Sequence, residues 1–303
     1  ATGTVVERKK MFYLFYTGNQ NVCLATSTDL DHWTKHPANP VVRPDGCLYG
    51  FDNFRDPFVF FCRPERRWWM LLGAQEVGQT PQRGGCVGLA ISEDLAVWKL
   101  QPPLWAPRIG PHCDCPQLIE HGGCWYLFYL QRNTRYRMAA SPRGPFLRPP
   151  VRDLLTPGAN AGSRPAFDGR RWVTFPFVTH HKAEDDFADW QYGGPLGVPR
   201  ELIFHADGII TERPVSEMIA AMHALPAPSV PILRNTHIMS GDWAVNEKES
   251  WAHCHSTAGG TLLLPDAPAD LFLEFDIELT TTACDVHVLL RVPPHRGLLE
   301  GYQ

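Results

Sequence analysis

The stretch Ala25-Thr26-Ser27-Thr28-Asp29-Leu30-Asp31-His32-Trp33 returns further along the chain as Ala90-Ile91-Ser92-Glu93-Asp94-Leu95-Ala96-Val97-Trp98, so the pattern A-x-S-x-D-L-x-x-W occurs twice. Each copy follows a strand-like aromatic run, Phe12-Tyr13-Leu14-Phe15-Tyr16 before the first and Trp68-Trp69-Met70-Leu71-Leu72 before the second. A third run, Trp125-Tyr126-Leu127-Phe128-Tyr129, precedes a degenerate partner at Ala140-Ser141-Pro142, and a fourth is Arg171-Trp172-Val173-Thr174-Phe175. Units of about 45 to 60 residues made of short strands and turns are the mark of propeller blades, which bury each sheet face against the next blade. One such unit alone would leave its apolar faces in water, so the repeat predicts an all-β propeller.

Working outward, turn signals at Asp45-Gly46, Gly84-Gly85, Gly122-Gly123 and Asp168-Gly169 separate the strand-like runs. The only helix-like segment, Val215 to Met222, leads into a Pro-rich stretch from Leu225 to Pro231. A domain boundary is expected there, with a propeller over residues 1–225 and a second domain over 226–303. Beyond it, Leu273, Phe275, Ile277 and Leu279 alternate with Glu274, Asp276 and Glu278, the pattern of a half-buried antiparallel strand. With Gly260 to Leu264 and Val286 to Val292 it predicts a β-sandwich, one that reads as incomplete because such domains commonly need about 100 residues.

Composition narrows the function. The 28 Lys and Arg against 32 Asp and Glu give a net charge of −4, with both signs dispersed, so nucleic acid is not an expected partner and a neutral ligand is. The 10 Trp suit sugar recognition, because indole faces stack on the C–H faces of sugar rings, and they equally suit strands and core. Nine Cys, an odd and dispersed set, read as buried free thiols. The densest group, His112-Cys113-Asp114-Cys115, has no second ligand pair at zinc spacing, so neither a metal nor another cofactor is expected. No run of 18 apolar residues and no leader-like start occurs, so no membrane partner is expected. The unpaired thiols lean towards a reducing, cytoplasmic setting, although any leader would precede Ala1; oligomeric state is not legible.

Three motifs carry candidate chemistry: Phe54-Arg55-Asp56-Pro57, Asp114-Cys115-Pro116 and Pro199-Arg200-Glu201-Leu202. Inner strands of successive blades converge on one axial pocket, so carboxylates at equivalent points of different blades can face one substrate. Glycoside hydrolysis needs such a group, one carboxyl protonating the leaving oxygen and another attacking the anomeric carbon or activating water. The plainer alternatives are a turn salt bridge between Asp56 and Arg55, a turn or capping role for Asp114, and cross-strand pairing of Arg200 and Glu201.

In order and spacing the chain resembles glycoside hydrolase family 32, the invertases, inulinases and levanases. Thr2-Gly3-Thr4-Val5-Val6 and Tyr16-Thr17-Gly18-Asn19 resemble its S-G-S-A-V and Y-T-G-N segments. Asn39-Pro40-Val41 and Phe54-Arg55-Asp56-Pro57 resemble N-P-V and F-R-D-P, His112 to Pro116 falls where the family has E-C-P, and Pro195 to Leu202 resembles G-x-x-x-P-R-E-L. The resemblance implies a five-bladed propeller followed by a β-sandwich, and retaining cleavage of β-fructofuranosidic bonds in sucrose or fructans. It makes Asp114 the acid/base and Asp56 the transition-state stabiliser, with Arg55, Phe54, Thr4, Trp190 and Cys115 binding substrate; Trp190 and Tyr192 suit the core equally well. Asp114 departs from the family's Glu. The family's nucleophile segment W-M-N-D-P-N-G is not found, so the first blade is expected to precede Ala1 and the chain to be a fragment. A carbohydrate-binding homologue without turnover and an inverting, arabinanase-like furanosidase remain open, the latter wanting carboxyls about 6.5 to 9.5 Å apart instead of about 5 to 5.5 Å.

Overall fold

The computed structural model describes residues 2–131, 133–150, 152–155, 160–161, 163–178, 180–182, 190–191, 194–225, 233–255, 259–264, 273 and 275–279. Two compact units are distinguished, Ala1–Val215 and Ser216–Gln303. Apart from one helix, Ser216–His223, the described regular structure is β.

Unit 1 is a propeller arrangement of four antiparallel blades. Blade 1 runs β1 (Gly3–Arg8), β2 (Met11–Thr17), β3 (Val22–Ser27) and β4 (Thr34–Lys35) in sequence order. Blade 2 repeats the plan with β5 (Tyr49–Cys62), β6 (Arg67–Glu76), β7 (Gly85–Ser92) and β8 (Lys99–Trp105). Blade 3 has β9 (Asp114–His121), β10 (Cys124–Gln131) and β11 (Asn133–Ala139), its outer edge extended by single bridges from Met138 to Leu147 and from Arg135 to Leu154. Blade 4 is formed by Pro165–Phe167, Trp172–Thr174, Arg200–Phe204 and Ile210–Pro214. The first strands of successive blades lie side by side, β1 against β5 and β5 against β9.

The aromatic runs are the second strands of their blades, and period-2 alternation divides their side chains between two neighbours. On β6, Met70 and Leu72 enter the core shared with blade 1, beside Phe15, Leu24 and Phe54, while Trp69 and Leu71 enter the core shared with blade 3, beside Leu118 and Leu127. On β10, Leu127 and Tyr129 face blade 2, while Tyr126 and Phe128 face blade 4 with Leu202 and Ile210. A strand buried on both faces reads as a continuous apolar run, which is why WWMLL and WYLFY stand out in the sequence.

The repeated nine-residue unit is the turn between third and fourth strands. The Asp29 and Leu30 N–H groups donate to Ser27 Oγ at 3.1 and 2.9 Å, and the Asp31 and His32 N–H groups donate to Asp29 Oδ1 at 2.9 and 2.8 Å. Trp33 Nε1 then donates to Leu30 O at 2.8 Å. Ser92, Asp94, Leu95 and Trp98 reproduce every one of these bonds in blade 2. Leu30 and Leu95 both take left-handed backbone, φ +69° and +74°. Side-chain oxygens thus satisfy the donors that the turn exposes, which offsets the strain of a leucine in that conformation.

In unit 2 the expected helix at 215–222 forms at Ser216–His223. Two antiparallel ladders follow, His237–Ser240 with Thr261–Leu263 and Trp243–Asn246 with Trp251–Cys254. The strand expected over Leu271 to Leu279 is not formed in the residues described there: 273 and 275–279 carry no strand, and Phe275, Ile277 and Leu279 are about half exposed. Alternation specifies two faces but no partner, and a strand without a ladder leaves its backbone polar groups to water. The expected strand at Val286 to Val292 lies outside the described residues.

Blades 2 and 3 are also joined by charge. The Asp153 carboxylate, 3% exposed, receives Arg137 and Arg135 directly, the latter at 2.9 Å, with Arg148 at 3.6 Å. The Arg137 guanidinium lies 5.4 Å from the ring centre of Trp105 in blade 2 and 5.2 Å from that of Tyr129 in blade 3. Burial alone would raise the Asp153 pKa, but the hydrogen bond and charge of Arg137, with the charges of Arg135 and Arg148, hold it below the usual value of 3.8. A depressed carboxylate stabilises in full above its unfolded pKa, and that contribution is lost as pH falls through the lower folded value. Asp153→Asn is therefore expected to cost about 3 kcal/mol or more in urea unfolding at pH 7, since it leaves the buried Arg137 without its carboxylate. The gap between variant and parent should narrow below pH 4; a gap unchanged at pH 3 would count against this account.

Candidate functional site

Two prolines, Pro57 and Pro116, stand in the first strands β5 and β9, which are sheet edges. Lacking an N–H, proline fits a strand only at an edge or a bulge. Both sites are bulged: pairing of β5 with β6 shifts between Arg55 and Phe58, and pairing of β9 with β10 shifts between Asp114 and Gln117. The residue before each proline, Asp56 or Cys115, has left-handed backbone with φ +57° or +48°. Such positions are strained for non-glycine residues and persist only where the surroundings over-determine them; the bulge re-aims the side chain.

What over-determines them is a ring of hydrogen bonds among blades. Arg164, which precedes Pro165 at the head of blade 4, donates from Nη1 to Thr2 Oγ1 at 2.7 Å. Thr2, at the head of blade 1, donates its N–H to Asp56 Oδ1 at 2.7 Å and its hydroxyl to the same oxygen at 3.3 Å. Asp56 Oδ2 accepts the Cys115 N–H at 3.2 Å and the Cys115 thiol at 3.6 Å. The Asp56 N–H donates to Thr17 Oγ1 at 3.0 Å. Asp56 is thereby bonded to blades 1 and 3 while being 2% exposed.

Beside the ring lies one cation between two carboxylates. Arg55 Nη2 donates to Asp114 Oδ2 at 2.7 Å, and Arg55 Nε is 3.7 Å from Asp56 Oδ2. Burial works against the guanidinium charge, but the hydrogen bond and charge of Asp114, then the charge of Asp56, outweigh it and raise the Arg55 pKa. Asp114 Oδ1 has no hydrogen-bond partner among the described residues and lies over Gly73 of β6. A Cβ on that glycine would stand 3.3 Å from Asp114 Cα, Asp114 Oδ1 and Cys113 O alike, so the missing side chain is what lets the two strands approach. Burial, followed by the charge of Asp56, pushes the Cys115 thiol up to about 12, which keeps it neutral. Thr17, Gln20, Arg55, Asp56, Asp114, Cys115 and Leu130 enclose a cavity of about 360 Å³.

Of the expected site residues, Asp56, Asp114, Arg55 and Cys115 therefore meet in one cavity. Phe54 does not line it: its ring is fully buried among Tyr49, Met70 and Leu72. Thr4 donates its hydroxyl to Pro57 O at 2.7 Å and lines a separate, more open cavity of about 420 Å³ with Gln117 and Arg164. The Trp190 side chain and Tyr192 lie outside the described residues. The cross-strand pairing expected of Arg200 and Glu201 is formed by Glu201, whose register partner across the ladder is Arg213. The two side chains approach to 2.9 Å.

Thr2, Thr17, Gln20, Gly73 and Arg164 were not singled out from the sequence. A signal existed for Arg164, which precedes Pro165 as Asp56 precedes Pro57 and Cys115 precedes Pro116. Of the cysteines, the eight described are free; Cys62, Cys86, Cys113 and Cys115 are buried, Cys47 is exposed, and Cys23, Cys124 and Cys254 are intermediate. Among the described residues no three His, Cys, Asp or Glu gather as a metal site.

Residues 1–148 match the family model described as the glycosyl hydrolases family 32 N-terminal domain. The chain is 24% identical, over its whole length, to 66% of a sucrose-6-phosphate hydrolase from Escherichia coli. It is 29% identical over 133 residues to a levansucrase from Erwinia amylovora, covering 33% of this chain and 32% of that protein. Among solved structures, fructan 1-exohydrolase IIa from Cichorium intybus superposes with a TM-score of 0.57 at 20% identity, covering 80% of this chain and 49% of that one. The Bombyx mori family 32 β-fructofuranosidase BmSUC1 gives 0.55 at 21%, covering 72% and 51%. At these identities the superpositions speak for the fold. The chain spans less than two thirds of the length of each of these relatives.

Asp56→Ala should strand the buried Cys115 N–H and the Thr2 N–H, at a cost of about 2 kcal/mol or more. The expected result is a lower urea midpoint with an unchanged m-value. Parent-like stability would mean that this carboxylate does not hold the blades together.

Proposed function

The chain belongs to glycoside hydrolase family 32, and on that premise we propose that its cavity receives the fructosyl end of sucrose or a fructan and serves cleavage of the β-fructofuranosidic bond. The observation that carries the reading is the sharing of Arg55 by Asp114 and Asp56 at the wall of one cavity. Asp56 has both carboxylate oxygens taken up by N–H donors of neighbouring blades. It is a fixed charge, suited to stabilising an oxocarbenium-like centre, and poorly suited to attack.

Asp114 is the proton carrier. Its carboxyl donates to the glycosidic oxygen as the bond from that oxygen to the anomeric carbon breaks, and the leaving sugar departs as an alcohol. In the retaining course a second carboxylate attacks the anomeric carbon. Water, or a sugar hydroxyl in a transfer reaction, then displaces it while Asp114 takes up the proton. Among the described residues lining the cavity only Asp56 and Asp114 carry carboxylates, so the attacking group is not assigned to a described residue. Asp114 is shorter than the glutamate of the family motif by about 1.5 Å, and an ångström of misplacement costs on the order of a hundredfold in rate. These two points favour a second reading, a homologue that binds fructosides without turning them over.

Fructose release from sucrose, inulin and levan, measured beside binding of the same sugars, separates the readings. The first expects release that falls by at least about a hundredfold in Asp114→Asn while binding persists. Binding without release would select the second, and neither binding nor release by folded protein would remove both.

A further inference from the structure

The hairpin joining β2 to β3 turns on Asn19 and Gln20. Gly18 and Asn21 close it reciprocally, the Gly18 N–H donating to Asn21 O at 2.8 Å and the Asn21 N–H to Gly18 O at 3.1 Å. Both central residues are left-handed, with φ +49° at Asn19 and +57° at Gln20. Two-residue hairpins of this kind take Asn readily at the first central position and prefer Gly at the second. A glutamine there is strained, and nothing in the turn itself requires its side chain.

The side chain reaches across to blade 2. Gln20 Oε1 accepts the Phe54 N–H at 3.0 Å, beside the bulge that sets Arg55 and Asp56. Since that partner can only donate, the oxygen of the amide is the atom that faces it, and the NH2 group is the other. No hydrogen bond from Gln20 Nε2 to a described residue is found, and Gln20 lines the cavity with Arg55, Asp56 and Asp114. The cavity wall otherwise presents carboxylates, a guanidinium engaged with both of them, a threonine hydroxyl and a neutral thiol. An uncommitted amide NH2 therefore adds a hydrogen-bond donor whose position is fixed at its other end.

We propose that Gln20 is a substrate-binding residue whose Nε2 donates to an oxygen of the sugar ring or of a hydroxyl on the unit held beside Asp56 and Asp114. The assignment rests on the fructoside reading above. It explains why the strained position carries glutamine instead of glycine: the pin to Phe54 sets the amide, and the amide then selects a ligand with an acceptor at that point.

Titration of the chain with sucrose, followed by calorimetry together with thermal melting, tests this against a purely structural role. Gln20→Gly relieves the backbone strain, which offsets part of the cost of leaving the Phe54 N–H without its acceptor, so it should melt close to the parent temperature, yet bind sucrose about 5- to 20-fold more weakly. Gln20→Glu keeps an acceptor for the Phe54 N–H but removes the donor, and should weaken binding at least as much. Parent-like affinity in either variant would overturn the proposal, as would loss of affinity in Gln20→Gly accompanied by a large fall in melting temperature. If the parent itself fails to bind sucrose or other fructosides, the fructoside reading falls and this assignment with it; if the parent binds and the variants match it, the assignment alone falls.

Discussion

In blades 2 and 3 the middle of the second strand has no solvent face. Trp69 and Leu71 belong to one neighbour and Met70 and Leu72 to the other, so blade 2 is stable only while blades 1 and 3 both stand against it. Burying a large apolar side chain contributes about 1.5 to 3 kcal/mol, and nearly all of that contribution in β6 and β10 is made between blades. The rest of unit 1 follows from this constraint. The first strands of the blades are drawn together at the axis, the fourth strand is two residues long in blade 1 and reduced to bridges in blade 3, and the turns between third and fourth strands of blades 1 and 2 close with their own side chains.

Bringing first strands together at the axis creates a second problem, because those strands are edges with donors and acceptors to satisfy. The bulges at Asp56-Pro57 and Cys115-Pro116 resolve it: proline withdraws a donor, the left-handed residue turns inward, and Asp56 accepts from both sides. Stability and candidate chemistry thus meet in the same residue. A carboxylate that holds three blades in register is also placed, without further adjustment, at the wall of the cavity that holds Asp114.

Much of this was legible in the sequence because it is local or periodic. The A-x-S-x-D-L-x-x-W unit is a turn whose bonds span at most three residues, and the aromatic runs betray two-sided burial. Asp56, Arg55, Asp114 and Cys115 stood out because they sit in short proline-ended motifs on the first strands of successive blades. Thr2, Arg164 and Gln20 did not, since their partners lie in other blades: Thr2 meets Arg164 at a separation of 162 residues, and Gln20 meets Phe54 of the next sheet. Gly73 is invisible for a different reason, in that its contribution is the absence of atoms under Asp114. The strand expected at Leu271 to Leu279 shows the limit of periodicity, which can describe a ribbon with two faces without supplying the strand that would pair with it.

The self-contained turns at Ser27 to Trp33 and Ser92 to Trp98 bear on the order in which the molecule assembles. Each hairpin and its closing turn can be made from contacts near in sequence, with little loop-closure entropy, whereas the apolar clusters and the Thr2–Arg164 contact close far longer loops. A chain emerging residue by residue can therefore zip each blade as it appears, but exposes an unsatisfied apolar face until the next blade arrives. The Arg164 side chain is the last of the ring to be made, so Thr2, which holds the axial carboxylate, is itself braced only when the fourth blade docks.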